Sequence, residues 1–196
     1  MKRLLDITAS GLGLIFLSPL FLIVALWIKS DSPGPVFYRQ SRVGRYGKDF
    51  RLFKFRSMRV GSDKKGLITV GGHDPRVTRS GYYIRKYKLD ELPQLINVFI
   101  GDMSLVGPRP EVRKYVDLYT PEQLHVLDVR PGITDMASIR YRNENELLEQ
   151  AADPEQYYRD VVMQDKLRIN LEYVAGHSFI KDLKIIFMTF KAVVTE

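Results

Sequence analysis

The sequence predicts an α+β protein that is mostly helical, with an N-terminal membrane helix and a small antiparallel strand element. Three observations support this prediction. An uncharged apolar run occupies residues 11–28, and two short segments at 36–39 and 50–55 are rich in aromatic residues, which is typical of strands. Most of the later chain has the three-to-four-residue apolar spacing of helices. With 196 residues, the chain has the length of one domain.

The apolar run allows three interpretations: a signal peptide, a simple transmembrane helix, or a re-entrant helix that enters and leaves on one side. No small-x-small cleavage pattern follows the run, which ends at Lys29. Pro19 predicts a kink near its middle, where the Ser18 hydroxyl could satisfy a freed carbonyl. Basic residues flank both ends and favour the cytoplasmic side for each. We therefore expect a re-entrant helix–break–helix at 1–29 and one membrane-associated cytoplasmic domain at 30–196.

The remaining elements follow in order along the chain. Val36–Arg39 and Phe50–Phe55 are expected to pair as antiparallel strands, and residues 60–76 to form a loop that lacks a P-loop pattern. The last segment, 178–194, is amphipathic and is expected either to pack on the core or to lie in the membrane interface. Further helices are expected at 78–87, 91–100, 121–129 and 154–175, with turns at 101–110 and 130–134.

The charge balance limits the classes of partner. A formal net charge of +7 indicates an anionic partner, such as a membrane surface, a phosphorylated substrate or nucleic acid. The basic residues are spread out and form no nucleic-acid-binding pattern, so we expect no nucleic-acid partner. The chain has no cysteine, which excludes thiolate chemistry. His73, His125 and His177 are scattered and are expected to be structural or surface residues.

Asp90 and Glu91 are adjacent acids in an otherwise basic and apolar segment. One interpretation is a helix start, where acids favour the positive end of the dipole. The other is chemistry: neighbouring side chains on a helix point about 100° apart, so two separate roles are expected. One carboxylate could attack an electrophile and the other could hold Mg²⁺. Phosphoryl transfer also needs cations, and the candidates are Lys54, Arg56, Arg85, Arg109 and Arg130.

Five short segments, in one order along the chain, carry a family resemblance. They are Ser18-Pro19, Lys54-Phe55-Arg56-Ser57-Met58, Asp90-Glu91-Leu92-Pro93-Gln94, Gly107-Pro108-Arg109-Pro110 and Arg130-Pro131-Gly132-Ile133-Thr134. With them the sequence resembles the monotopic phosphoglycosyl transferases, the bacterial sugar transferase family that starts glycan assembly on a polyprenol phosphate. The length is similar to the minimal catalytic-domain form of that family.

The resemblance implies a reaction and a role for each matching residue. Asp90 would attack the β-phosphate of a UDP-sugar, UMP would leave, and polyprenol (undecaprenyl) phosphate would take the phosphosugar from the aspartate. Glu91 would bind Mg²⁺. The enzyme would act at the cytoplasmic face of the bacterial inner membrane, as a monotopic protein in contact with lipids, in the first membrane step of glycoconjugate or polysaccharide biosynthesis. The residues implied in substrate binding are Lys54, Arg56, Arg85, Arg109, Pro110 and Arg130.

One departure from the family pattern follows Thr134. Many members continue with glycine, an aromatic residue or leucine, and Ala-Gln, whereas this chain has Asp135-Met136-Ala137-Ser138-Ile139. The departure leaves the identity of the sugar open, as the sequence does for the pathway and the oligomeric state. A non-enzymatic alternative is a basic, membrane-anchored module that binds an anionic partner; it accounts for the charge and the anchor but not for the ordered motifs.

Overall fold

The computed structural model describes residues 1–62 and 74–194. Most of the expected loop at 60–76, together with His73, lies outside the described residues. Within them the chain is mostly helical, with one antiparallel and one parallel pair of strands. The mostly helical α+β class predicted from the sequence is therefore confirmed.

The first helix, α1, runs from Lys2 to Asp31 and contains Pro19. Proline cannot donate to the carbonyl four residues earlier, which here belongs to Ile15. The Ser18 hydroxyl donates to that carbonyl oxygen at 2.8 Å, as expected from the sequence. The predicted break is not an interruption, because the helix continues through both residues. The re-entrant path of this segment stays a prediction.

Both ends of α1 contact the same globular body. At the N-terminal end, Lys2 Nζ donates to the carbonyl oxygen of Val106 at 2.9 Å and to Asp182 Oδ2 at 2.5 Å. At the C-terminal end, Val24 and Ile28 are buried in a cluster with Phe55 and Ile84. The helix therefore lies against the body at its start and at its end.

The outward face of α1 is apolar and exposed. By length and composition α1 could cross a membrane, and it is the one helix in the described part of the chain that meets this test. Little of it is covered by the rest of the protein. Large exposed apolar patches are typical of membrane or protein contacts. The exposed side chains include Leu12, Ile15, Phe16, Leu22, Ile23 and Leu26.

Two small sheets organise the body. β1 (Phe37–Val43) pairs antiparallel with β2 (Asp49–Phe55), in a register that places Tyr38 opposite Lys54. β3 (Ser104–Val106) pairs in parallel with β4 (Gly132–Thr134). The sequence predicted the hairpin but assigned both partners of the second pair to turns. The second pair needs glycine, because a Cβ on Gly132 would lie 2.1 Å from the Gly107 nitrogen.

The helices after the sheets are mostly short. Two predicted elements differ: the helix expected at 91–100 begins at Gln94, and the one expected at 121–129 is a 3₁₀ segment, Gln123–Asp128. The long helix predicted at 154–175 consists of α7 (Pro154–Tyr157) and α8 (Met163–Ala175) joined by a π-helical turn, Tyr158–Val162. The bounds are α2 Arg79–Lys86, α3 Gln94–Ile100, α4 Arg113–Val116, α5 Met136–Arg140, α6 Glu144–Glu149, α7 Pro154–Tyr157, α8 Met163–Ala175 and α9 Phe179–Val194.

The last helix, α9, packs on the core, which was one of the two placements expected from the sequence, while its placement in a membrane interface stays a prediction. Its Ile185 is buried against Val106 of β3 and Tyr173 of α8, so one side of the helix packs on the core. The other side is apolar and exposed, like that of α1. These exposed side chains are Ile180, Leu183, Phe187 and Phe190.

Candidate active site

The two adjacent acids lie in a tight reversal between α2 and α3. Lys88 has left-handed backbone angles (φ 54°, ψ 21°) and ends the path from α2, and a 3₁₀ turn, Leu89–Glu91, follows. Leu89 packs against the cluster around Phe55, which fixes the turn to the body. Pro93 then precedes α3. The acids are therefore presented from a short constrained turn, not from the regular helix start that one interpretation of the sequence predicted.

Glu91 is the centre of an ion-pair cluster. Arg109 donates from Nη1 to Glu91 Oε2 at 3.0 Å and from Nη2 to Oε1, and Lys54 Nζ donates to Oε1 at 3.2 Å. Burial alone would raise the pKa of this carboxyl. The two cations outweigh burial and hold the pKa of Glu91 well below its usual range. Glu91 is therefore ionised and bound to both cations at neutral pH.

The environment of Asp90 differs from that of Glu91 in both partners and pKa. It is 7% exposed, and within the described residues its carboxylate has no hydrogen bond or ion pair. Burial raises the pKa of Asp90, while the nearby charge of Lys54 opposes that rise and the charge of Glu91 adds to it. A carboxylate without partners keeps all its lone pairs for a ligand or an electrophile. Two adjacent acids thus have two distinct environments.

Three of the six predicted substrate-binding residues gather around these acids. Lys54 comes from β2, and burial lowers its pKa although Glu91 beside it opposes the change. Arg85 is in the last turn of α2, and its charge lowers the pKa of Asp90, as does that of Arg109. The cluster therefore has three cations against two carboxylates, which is suited to an anionic ligand.

Arg56 is bound to the segment that follows α1. The sequence placed it in substrate binding, but its guanidinium is buried and donates to the carbonyl oxygens of Pro33 and Ser32, the latter at 2.7 Å. These groups follow the C-terminal end of α1, where carbonyls lack helical partners. The side chain is 4% exposed. Arg56 therefore holds the end of α1 against the body, and its predicted role in substrate binding stays a prediction.

Arg130 and Pro110 each take part in a hydrogen bond that involves the protein backbone. Arg130 Nε donates to the carbonyl oxygen of Gly101 at 3.0 Å, just after α3. The Pro110 carbonyl accepts from Arg42 Nη1 at 3.0 Å. Both contacts fix backbone around the loop that carries Arg109. Their predicted role in substrate binding stays a prediction.

Two residues that position the site were missed from the sequence. Asn97 of α3 accepts from the Phe53 backbone nitrogen at 2.9 Å and donates to the Arg51 carbonyl oxygen at 2.8 Å, so it joins α3 to the strand that carries Lys54. Asp135 accepts a hydrogen bond from the Arg109 backbone nitrogen at 3.0 Å. The position of Asp135 before a helix, with Ser138 three residues later, is typical of an N-cap and was a usable signal.

The donor set fits a magnesium ion only together with a phosphorylated ligand. No group of three or more potential protein ligands stands together in the described parts of the chain. Mg²⁺ often uses one or two carboxylates, with substrate phosphates and waters completing the octahedron. Asp90 has free oxygens, whereas Glu91 would have to share its oxygens with Arg109 and Lys54. The two acids could supply that small donor set.

Comparison with known proteins gives the family. All residues, 1–196, match the family described as bacterial sugar transferase. The chain belongs to the bacterial sugar transferase family. The family resemblance found in the sequence is thereby confirmed, and the adjacent acids, the Gly107–Pro110 loop and the β4 segment are parts of a bacterial sugar transferase.

Individual relatives of this bacterial sugar transferase have names that specify different sugars. A UDP-N-acetylgalactosamine-undecaprenyl-phosphate N-acetylgalactosaminephosphotransferase of Aeromonas hydrophila is 40% identical, over 100% of this chain and 44% of its own length. A UDP-glucose:undecaprenyl-phosphate glucose-1-phosphate transferase of Escherichia coli (strain K12) is also 40% identical, over 100% of this chain and 41% of its own length. Equal identity to both leaves the sugar open.

This chain matches a larger share of another relative. A UDP-glucose:undecaprenyl-phosphate glucose-1-phosphate transferase of Caulobacter vibrioides is 37% identical, over 99% of this chain and 70% of its own length. The chain spans less than half the length of the Aeromonas and Escherichia relatives. The similarity therefore concerns the segment that all these proteins share.

Proposed function

We propose that this chain transfers a phosphosugar from a UDP-sugar to undecaprenyl phosphate, giving undecaprenyl-diphosphate-sugar and UMP. The observation that carries the proposal is the contrast between the two acids: Asp90 is buried and unpaired in the described structure, while Glu91 is bound to Arg109 and Lys54. The names of the relatives supply the substrate classes.

Asp90 is the proposed nucleophile. One carboxylate oxygen attacks the β-phosphorus of the UDP-sugar, and the bond from that phosphorus to the bridging oxygen breaks, so UMP leaves with the electron pair. The phosphosugar stays on the aspartate as an acyl phosphate. An oxygen of undecaprenyl phosphate then attacks the same phosphorus, and the carboxylate of Asp90 leaves. Burial raises the pKa of Asp90, whereas the charges of Lys54, Arg85 and Arg109 oppose that rise and favour the ionised form that attacks.

Lys54, Arg85 and Arg109 are the proposed phosphate-binding residues. Phosphoryl transfer spreads negative charge over the oxygens around phosphorus, and cations already in position stabilise it. Arg109 and Lys54 are held by Glu91 in the structure, so a diphosphate would approach cations whose side chains are already oriented. Glu91 also serves as the proposed Mg²⁺ ligand. Bound there with the diphosphate, the ion would neutralise charge as a Lewis acid.

The apolar faces of α1 and α9 support the proposed location at the cytoplasmic face of the bacterial inner membrane. Both helices expose apolar side chains, and both contact β3, which leads to the loop that carries Arg109. Both ends of α1 contact one body, which supports a monotopic arrangement with both flanks on one side. This arrangement would let a polyprenol chain remain in lipid while its phosphate meets Asp90.

UMP release tests the proposal. The detergent-solubilised chain is incubated with Mg²⁺ and a panel of UDP-sugars, beginning with UDP-glucose and UDP-N-acetylgalactosamine, without polyprenol phosphate. We expect one equivalent of UMP per enzyme and a peptide carrying Asp90 that gains the mass of a sugar phosphate. Asp90→Asn should abolish both, because an amide is a poor nucleophile.

Two results would overturn parts of this proposal. UMP release that requires polyprenol phosphate, with no adduct and with intersecting initial-rate lines, would indicate direct attack in a ternary complex. Failure to release UMP from every UDP-sugar, with or without polyprenol phosphate, would favour the non-enzymatic membrane module.

A further inference from the structure

We propose that Asp135 is a positioning residue that holds Arg109 in place for the transfer proposed above, on which this inference rests. Asp135 belongs to the segment where the chain departs from the common pattern of its family, Asp135-Met136-Ala137-Ser138-Ile139. On this proposal, the residue that departs from the family pattern supports the backbone of a phosphate-binding arginine.

The Asp135 carboxylate is fully engaged and almost inaccessible. Asp135 is 1% exposed to solvent. Oδ1 accepts from the Ser138 backbone nitrogen at 2.7 Å, which caps α5. Oδ2 accepts from the Ser138 hydroxyl at 3.0 Å and from the Arg109 backbone nitrogen at 3.0 Å. One carboxylate thus joins the start of α5 to the loop after β3.

The loop offers Asp135 a single point of attachment. Arg109 lies between Pro108 and Pro110, and proline has no backbone N–H. The Arg109 N–H is therefore the sole backbone donor of this tripeptide, and it is the group that Asp135 binds. The Pro108 carbonyl is fixed from the other side by the Gly132 nitrogen at 3.0 Å. The backbone of Arg109 is consequently held at its donor and beside its first proline.

Arg109 has a carboxylate at each end. Its guanidinium binds Glu91 in the site, and its backbone nitrogen binds Asp135 behind the site. The charge of Asp135 also adds to that of Glu91 in raising the pKa of Arg109. A backbone held at this point fixes the base of a long side chain, so the guanidinium needs fewer torsions to reach its phosphate.

The plain alternative is that Asp135 serves only to cap α5. The two roles can be separated, because asparagine is an equally good N-cap but has one acceptor oxygen. In Asp135→Asn, Oδ1 still accepts from Ser138, while the amide nitrogen faces the Arg109 N–H as a second donor. Ser138→Ala is the matched control: it removes one hydrogen bond to Asp135 and leaves the bond to Arg109.

The experiment measures the steady-state rate of UMP release by the full chain in detergent with Mg²⁺, undecaprenyl phosphate and an accepted UDP-sugar. We expect Asp135→Asn to lower kcat by about tenfold to 100-fold, the loss typical of a displaced catalytic group. The kcat of Ser138→Ala should stay close to that of the unaltered chain. In an Arg109→Ala background, Asp135→Asn should cause no further loss, because its effect passes through Arg109. Asp135→Ser, which keeps a capping oxygen, carries the same test if the Asn variant fails to fold.

Equal loss from Asp135→Asn in both backgrounds would overturn the positioning role and leave a capping residue. An Asp135→Asn variant with unchanged kcat would do the same. Absence of UMP release by the unaltered chain with every UDP-sugar would overturn the proposed function together with this inference, so the two failures are distinguishable.

Discussion

Arg109 and Glu91 meet through a forked contact, with Arg109 Nη1 3.0 Å from Glu91 Oε2, although 18 residues separate them in the chain. The contact joins the loop after β3 to the turn that carries the acids. Arginine forks match carboxylate and phosphate alike. A diphosphate can bind the N–H groups of Arg109 that Glu91 leaves open, and one that displaced Glu91 would leave the Glu91 oxygens for a cation.

Glu91→Gln should keep the fold and lower UMP release at least about 100-fold. The amide can neither balance the charges of Arg109 and Lys54 nor replace a carboxylate as a ligand for a hard cation. UMP release is measured across a Mg²⁺ titration, and exposed Glu122→Gln is the matched control. Near-normal turnover of Glu91→Gln with an unchanged metal requirement would show that Glu91 is not the ligand.

Lys54→Met should move the acid limb of the kcat/KM profile to higher pH. Burial raises the pKa of Asp90, and the charge of Lys54 opposes that rise. Removing the charge raises the pKa of Asp90 further, so a higher pH is needed to ionise the nucleophile. Lys54→Arg is the control, because it keeps a positive charge and should leave the limb close to its original position. An acid limb that stays fixed in Lys54→Met would mean that another group controls it.

Arg56→Met should lower the free energy of unfolding by about 2–4 kcal/mol, since it removes a buried charged donor from several carbonyl groups. Arg39→Met is the matched control: Arg39 is exposed, and its contact with the Phe53 ring, at 4.8 Å, is worth about 0.5–1 kcal/mol. Chemical denaturation gives both values. Unchanged stability of Arg56→Met with weakened UDP-sugar binding would contradict this structural role and support the substrate-binding role that the sequence predicted.

Both flanks of α1 should be shielded from an impermeant thiol reagent added to intact cells. The chain has no cysteine, so one cysteine inserted after Met1, or Ser41→Cys at an exposed position of β1, is the sole thiol in each variant. Permeabilised cells provide the positive control. Pro19→Ala should favour a straight span and make the first site accessible from outside. Labelling of that first site in the presence of Pro19 would rule out the re-entrant arrangement.

The sequence predicted those elements whose signals are local. The β1–β2 hairpin follows from two aromatic segments around a glycine turn, and α9 from its periodic apolar residues. The β3–β4 pair was missed because three-residue strands rich in glycine and proline neighbours resemble turns, and their pairing is parallel and distant in sequence.

In the site too, the sequence predicted the features that have a local signal and missed those that depend on distant contacts. Asp90 and Glu91 were found because adjacent acids stand out in a basic segment. By residue type alone, Arg56 and Arg109 are equally good candidates for phosphate binding. In the folded protein, Arg56 binds backbone at the end of α1, whereas Arg109 binds Glu91. That difference depends on contacts 18 to 24 residues apart, which local patterns do not specify.

The contact between Lys2 and Asp182 can form only late in synthesis, after the ribosome has made Asp182. The two residues are 180 positions apart, so the ribosome makes Asp182 about 10–40 s after Lys2 at 5–20 residues per second. During that interval the apolar α1 is complete while its partner on α9 does not yet exist. A helix of this composition would reach the lipid before its N-terminal contacts on the protein can form. Packing of α1 and α9 against strand β3, which Lys2 and α9 both contact, would then be completed on the membrane surface.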